Sequence, residues 1–125
     1  MKERCKVVII GGGSAGIYLA TLLDHSIHKI TIVEGQKTIG IKFLVAGKGG
    51  FNLSHSLPVE DMINKYDPVD FMKSYISNYP ASALVKYFKD LGVETYVGTS
   101  GKIFPAEGLK PIDVLNAIRK KLNEK

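Results

Sequence analysis

Three glycines in the pattern Gly11-x-Gly13-x-x-Gly16 stand directly behind an apolar run, and a carboxylate, Glu34, closes the next such run. Residues of these types in this order can hold the phosphates and sugar of a nucleotide. Gly11 lets the chain turn tightly out of a strand, Gly13 leaves the backbone bare for a pyrophosphate, and Gly16 lets a helix pack close to a sheet. The first amides of that helix, near Gly13, Ser14 and Ala15, have no partner inside it. With the positive end of the helix dipole they form an anion site. Glu34 follows at about the 20-residue distance where an acid accepts hydrogen bonds from both ribose hydroxyls. Its charge repels a 2′-phosphate and so disfavours NADP. The pattern does not separate FAD from NAD, and a doubly wound protein with an idle glycine turn satisfies it too.

These residues need particular elements to hold them. Lys6–Ile10 is a β-branched run without alternation, expected of a strand buried on both faces in a parallel sheet. A helix is expected over Ser14–Asp24, on an apolar face that includes Ile17, Ala20 and Leu23. A second strand over Lys29–Glu34 completes a βαβ unit. From Gly35 to Leu57 the chain is glycine-rich and aperiodic, yet too apolar for a linker, so it reads as an ordered loop wrapped around something. Three helices should follow. One is capped by Asp67 with Pro68 at its first position, one opens at Pro80 and stops at Gly92, and one begins near Pro111. The aromatic stripes at 71–79 and 84–91 read as core. Two short strands around G-T-S-G at 98–101 suggest a hairpin. The expected fold is α/β, an incomplete Rossmann-like βαβ unit followed by helices and a hairpin. Residues 1–57 would form the dinucleotide-binding unit with its glycine-rich loop, and 58–125 the rest of the same truncated domain.

The segment at 40–54 reads G-I-K-F-L-V-A-G-K-G-G-F-N-L-S. Together with the glycine turn, it resembles a bacterial family of NAD(P)/FAD-dependent oxidoreductases, the aminoacetone-oxidase-like flavoproteins. The matching positions are Gly40, Lys42, Ala46, Gly47, Gly49 and Asn52. The likeness continues through K-D-L-G-V-E-T at 89–95, G-K-I-F-P at 101–105 and P-I-D-V-L-N-A-I in the last helix. Gly50 and Phe51 stand where most members carry Arg and Cys, so no role of that pair transfers. The resemblance implies that the 40–54 loop runs along FAD toward its pyrophosphate and flavin. Lys42 or Lys48 would then neutralise phosphate charge. Gly47, Gly49 and Gly50 would bring backbone amides close, and the Asn52 amide would meet the flavin edge. The resemblance also implies a longer protein, of which this chain is the N-terminal part.

Composition narrows the rest. The chain has 125 residues with 45% hydrophobic and 23% charged, the balance of an ordinary globular domain. The net charge of +5 comes from scattered lysines, with one cluster at Arg119, Lys120 and Lys121. Cations at a helix end complement its dipole, so no nucleic-acid partner is expected. One cysteine, Cys5, precludes an internal disulfide and fits a reducing compartment, and no apolar run suits a membrane span or signal peptide, which points to the cytoplasm. His25 and His28 lack acidic or thiol partners and read as surface or capping residues, with no metal. His55 follows the glycine loop and is read as lying away from the flavin.

The sequence therefore predicts the FAD-binding portion of a flavin-dependent oxidoreductase with an unknown small-molecule substrate and no assignable catalytic base. The alternatives are a non-catalytic remnant with weak or no flavin binding, and an NAD-binding module. The exposed edge of so small a sheet makes a homo-oligomer an added expectation.

Overall fold

A computed structural model describes residues 5–46 and 51–124. They pack as two compact units, Met1–Gly50 with Lys110–Lys125, and Phe51–Leu109.

The first unit opens with strand β1 (Cys5–Ile10), helix α1 (Ser14–Leu22) and strand β2 (His28–Val33). The strands pair in parallel, from Cys5 opposite His28 to Ile10 opposite Val33. A short helix α2 (Ile41–Val45) lies in the segment expected to be irregular. The last helix returns to this unit. We label it α6 (Pro111–Asn123), and it packs on both α1 and α2. Proline in its first turn fixes a helical φ, and the Asp113 carboxylate accepts the Lys110 amide at 2.8 Å, so the helix starts sharply. Ile9, Ile17, Ala20, Val114, Leu115 and Ile118 are buried. Each of the isoleucines, Val114 and Leu115 contributes about 1.5–3 kcal/mol by leaving water, and Ala20 less. Thr21 is buried among them, and its hydroxyl donates to Tyr18 O at 2.7 Å.

One expectation for this unit is overturned. β1 is not buried on both faces: Ile9 is 7% exposed, but Val8 is 61% and Ile10 87%. Successive strand residues point to opposite sides, and α1 covers only one of them. Among the described residues no layer covers the side of Val8, Ile10 and Val33. α1 also ends two residues earlier than expected. Beyond it, His25 Nε2 donates to Ala20 O in the last turn of α1, and His28 Nδ1 to Asp24 O, which also accepts the Ile27 and His28 amides, both ring bonds at 2.9 Å.

The second unit holds β3 (Ser54–His55), α3 (Val59–Ile63), α4 (Val69–Asn78), α5 (Ala81–Asp90), β4 (Thr95–Val97) and β5 (Lys102–Pro105). Its antiparallel sheet has the order β3-β5-β4, so the expected hairpin gains a third strand. α3 was not anticipated. α4 begins after Pro68, which follows a cis peptide bond, so Asp67 is not its cap. The aromatic stripe of α4 is not core. Phe71 is 63% exposed and Tyr75 59%, their rings 5.4 Å apart on the surface. Met72 and Ile76 are half-buried instead, and Ile76 lines an apolar cavity beside Met62 of α3. α5 behaves as its pattern predicts, with Tyr87 and Phe88 buried edge to face at 5.3 Å.

Candidate dinucleotide-binding site

The glycine turn is an extension of the β1–β2 ladder. The Gly11 amide donates to Val33 O at 2.8 Å, and the chain then reverses with Gly11 at φ +101°, a region that disfavours any side chain. Gly12 is buried beneath the turn. Its amide donates to Glu34 Oε2 at 2.8 Å, and its carbonyl accepts the Gly40 amide at 2.7 Å. Gly13 caps α1 with no side-chain hydrogen bond, and the first turn of the helix carries no acidic residue. The first amide to bond back is that of Ile17, to Gly13 O at 3.0 Å. The preceding amides are therefore available to an anion.

Two glycines in this turn do opposite jobs. A Cβ on Gly16 would collide with the carbonyl oxygen of Gly11 and press on Ile9, so the helix can sit this close only without one. A Cβ on Gly13 would have no atom within 4 Å. The space before the α1 N-terminus is open, as a phosphate requires.

Glu34 lies immediately after β2, half-buried beside this space. Oε1 accepts the Gln36 amide at 2.8 Å while Oε2 accepts that of Gly12. These two bonds, Gln36 first, hold its carboxyl below the usual range. Partial desolvation opposes them, and the Gly35 amide and the positive charge of Lys42 add to them. An ionised carboxylate offers about four acceptor positions. The Gln36 and Gly12 amides take one on each oxygen and the Gly35 amide lies close by, which leaves the carboxylate with acceptor capacity to spare.

The structure thus brings Gly11, Gly13, Ser14, Ala15, Gly16 and Glu34 to one place, with Lys42 exposed on α2 close enough to act on Glu34 by charge. Gly47, Lys48, Gly49 and Gly50 lie outside the described residues. Asn52 is exposed in the second unit, two residues before β3. His55 belongs to that unit's sheet: its ring packs on Gly101, and Nδ1 accepts the Leu57 amide at 3.2 Å. An apolar cavity of about 420 Å³ lies in the same unit, between Met62, Ile76, Val85 and Ile103, and has no charged lining residue.

Sequence reasoning missed the underside of the turn. Ile39 packs its side chain where a Cβ on Gly12 would lie, and Gly40, at φ +78°, fits against Leu115. Arg119 of α6 reaches the same loop, its Nη2 donating to Thr38 Oγ1 and Ile39 O at 2.9 Å each. Gly40 alone carried a visible signal, as a glycine in the shared 40–54 motif.

A parallel βαβ unit with a helix starting at a glycine turn defines a Rossmann-type domain. The match of residues 5–125 to the HI0933-like protein Rossmann domain places the chain in that family of FAD/NAD(P)-binding oxidoreductases. Similar proteins include two named ribosomal RNA dihydrouridine synthase. That of Haemophilus influenzae is 28% identical over 112 residues, 90% of this chain and 28% of the relative. That of Escherichia coli is 26% identical over 102 residues, 82% of this chain and 25% of the relative. Amine oxidase [flavin-containing] B of Bos taurus is 27% identical over 120 residues, 89% of this chain and 20% of the relative. The chain therefore spans between a fifth and little more than a quarter of these proteins. Among its described residues no helix is long and apolar enough to cross a membrane.

Proposed function

We propose that this chain is the FAD-binding portion of a flavin-dependent oxidoreductase and holds the ADP half of the cofactor. The observation that carries this reading is the joining of the two half-sites: Glu34 is hydrogen-bonded to the turn whose next residue, Gly13, faces open space before α1. The pyrophosphate would rest on the amides of Gly13, Ser14 and Ala15, with Gly11 and Gly16 shaping the cradle. Glu34 would accept the two ribose hydroxyls. Lys42, Gly47, Gly49 and Asn52 would follow the cofactor toward its flavin end.

When bound, the flavin supplies the electron-transfer chemistry. The residues of this chain bind and orient; none of them is placed as an acid or base. The relatives are named for an RNA base and for amines, yet all three share this portion. Such sharing fits a module that holds the cofactor and leaves the substrate to the remainder of a longer protein. The exposed lone thiol of Cys5 suits a reducing compartment, and we assign the protein to the cytoplasm.

The test is direct titration of the purified chain with FAD, ADP, NAD and NADP. FAD and ADP binding with a flavin absorbance band near ~450 nm supports the reading. ADP binding without FAD marks a remnant that keeps only the nucleotide half-site. Preference for NAD without flavin binding overturns the FAD assignment.

A further inference from the structure

We infer that Arg119 is a positioning residue for the glycine turn, acting from the far end of the chain. This rests on the proposed nucleotide site and adds the element that sets its shape. The guanidinium holds Ile39 O and Thr38 Oγ1, each at 2.9 Å, and thereby fixes the loop that follows β2. The next residue in that loop, Gly40, donates its amide to Gly12 O at 2.7 Å. Gly12 in turn donates to Glu34 Oε2. Each link is a hydrogen bond between groups in the same compact unit.

The packing points the same way. Ile39 lies directly against Gly12, and Gly40 is seated on Leu115, about one turn before Arg119 on the same helix. α6 therefore presses the loop onto the turn with Leu115 and ties it with Arg119. Both bonds leave Nη2, while Nη1 donates to Asn116 Oδ1 at 3.4 Å on the same helix, so the planar group spans from α6 to the loop, which a dipole-compensating cation at a helix end would not require. Lys120, one residue on, shows the contrast: it makes an exposed pair with Glu124 at 3.7 Å.

The experiment compares the wild-type chain with Arg119→Met, Arg119→Lys and Thr38→Val, all checked for folding by their melting temperatures. ADP affinity is read by calorimetry, and hydrogen exchange of the Gly40 amide by NMR. Arg119→Met is expected to weaken ADP roughly tenfold and to speed Gly40 exchange by a similar factor, the scale of a lost hydrogen bond to a charged group. Arg119→Lys should recover part of both losses. Thr38→Val, at an exposed position, should give a smaller loss of both, about twofold, and decides the matter if the methionine variant does not fold. Unchanged ADP affinity, or unchanged Gly40 exchange, in a folded Arg119→Met chain overturns the inference, as does a lower melting temperature with neither of those effects. A wild-type chain that binds neither ADP nor FAD defeats the proposed function itself, whereas equal binding by wild type and Arg119→Met defeats this inference alone.

Discussion

The carboxylate of Glu34 accepts the amide of Gly12 at 2.8 Å, across 22 positions of the chain. The acid that would grip the sugar is thus also part of the turn that would hold the phosphates. Both halves of the proposed site are held together by the fold itself, which would lower the ordering cost of binding a nucleotide. The bond also explains why the end of β2 and the end of β1 act as one structural unit: Gly11 donates to Val33 just before Glu34 takes up Gly12.

Replacing Glu34 by Gln tests this double role. The amide keeps one acceptor oxygen but loses the charge and one accepting side. Affinity for ADP should fall roughly tenfold or more, the scale of a lost charge-assisted hydrogen bond. Glu34→Ala should cost at least as much. Calorimetric titration reads both, and an affinity equal to wild type would remove Glu34 from the site.

Acid should produce a related effect. Amide donors hold the Glu34 carboxyl below its ordinary range. A group depressed in the folded state contributes stability that is fully present above its unfolded value and disappears as pH falls through its folded value. Urea midpoints of wild type and Glu34→Gln should therefore differ by a constant amount near neutrality and converge below about pH 4.3, the ordinary glutamate value. ADP affinity should decline over the same acid range, because the neutral carboxyl loses acceptors. A difference between the two chains that ignores pH would contradict the assigned cause.

Gly13 and Gly16 should separate stability from binding. Gly16→Ala drives a methyl group into the Gly11 carbonyl, and overpacking of this kind costs about 1–3 kcal/mol or more. Gly13 has φ −77°, open to any residue, and a methyl there meets nothing within 4 Å. Gly13→Ala should leave stability within about 1 kcal/mol of wild type. It should nonetheless weaken ADP at least tenfold, since the methyl stands where phosphate would approach. Urea denaturation and ADP titration on the same two variants give the answer, and equal losses in both measurements would mean that the turn is not a cradle.

The local geometry of this candidate site was legible in the sequence, because each local signal has a local cause. Gly11, Gly13 and Gly16 are required by a reversal, an open approach and a close contact, and all three act within six residues of one another. Glu34 is found by counting along two elements of regular length. The parallel pairing of β1 and β2, the hairpin of β4 and β5 and the start of α6 at Pro111 also follow from short-range chemistry. What sequence could not reveal was the third dimension. Arg119 looked like a cation at a helix end, since nothing near it in the chain indicates that Ile39, 80 residues away, supplies its acceptor. The aromatic stripe of α4 failed for another reason: helical spacing identifies a face but not the side on which a neighbour packs. Phe71 and Tyr75 pack on each other at the surface while Met72 and Ile76 are the half-buried side.

Ile9 and Ile10 give the sharpest test of how β1 is covered. They are neighbours of identical chemistry, and the sequence treats them alike as members of one apolar run. The pleat sends them to opposite sides, with Ile9 packed under α1 at 7% exposure and Ile10 at 87% on the side of Val8 and Val33. Ile9→Ala should cost about 2–5 kcal/mol, the range for removing a buried aliphatic side chain. Ile10→Ala should cost under about 1 kcal/mol, mainly strand preference. Urea denaturation at low protein concentration measures both. A cost at Ile10 that grows with protein concentration would show that association buries the open side of the sheet, because binding to the folded form adds stability by mass action. A large cost at Ile10 that does not depend on concentration would contradict the one-sided packing of β1 itself.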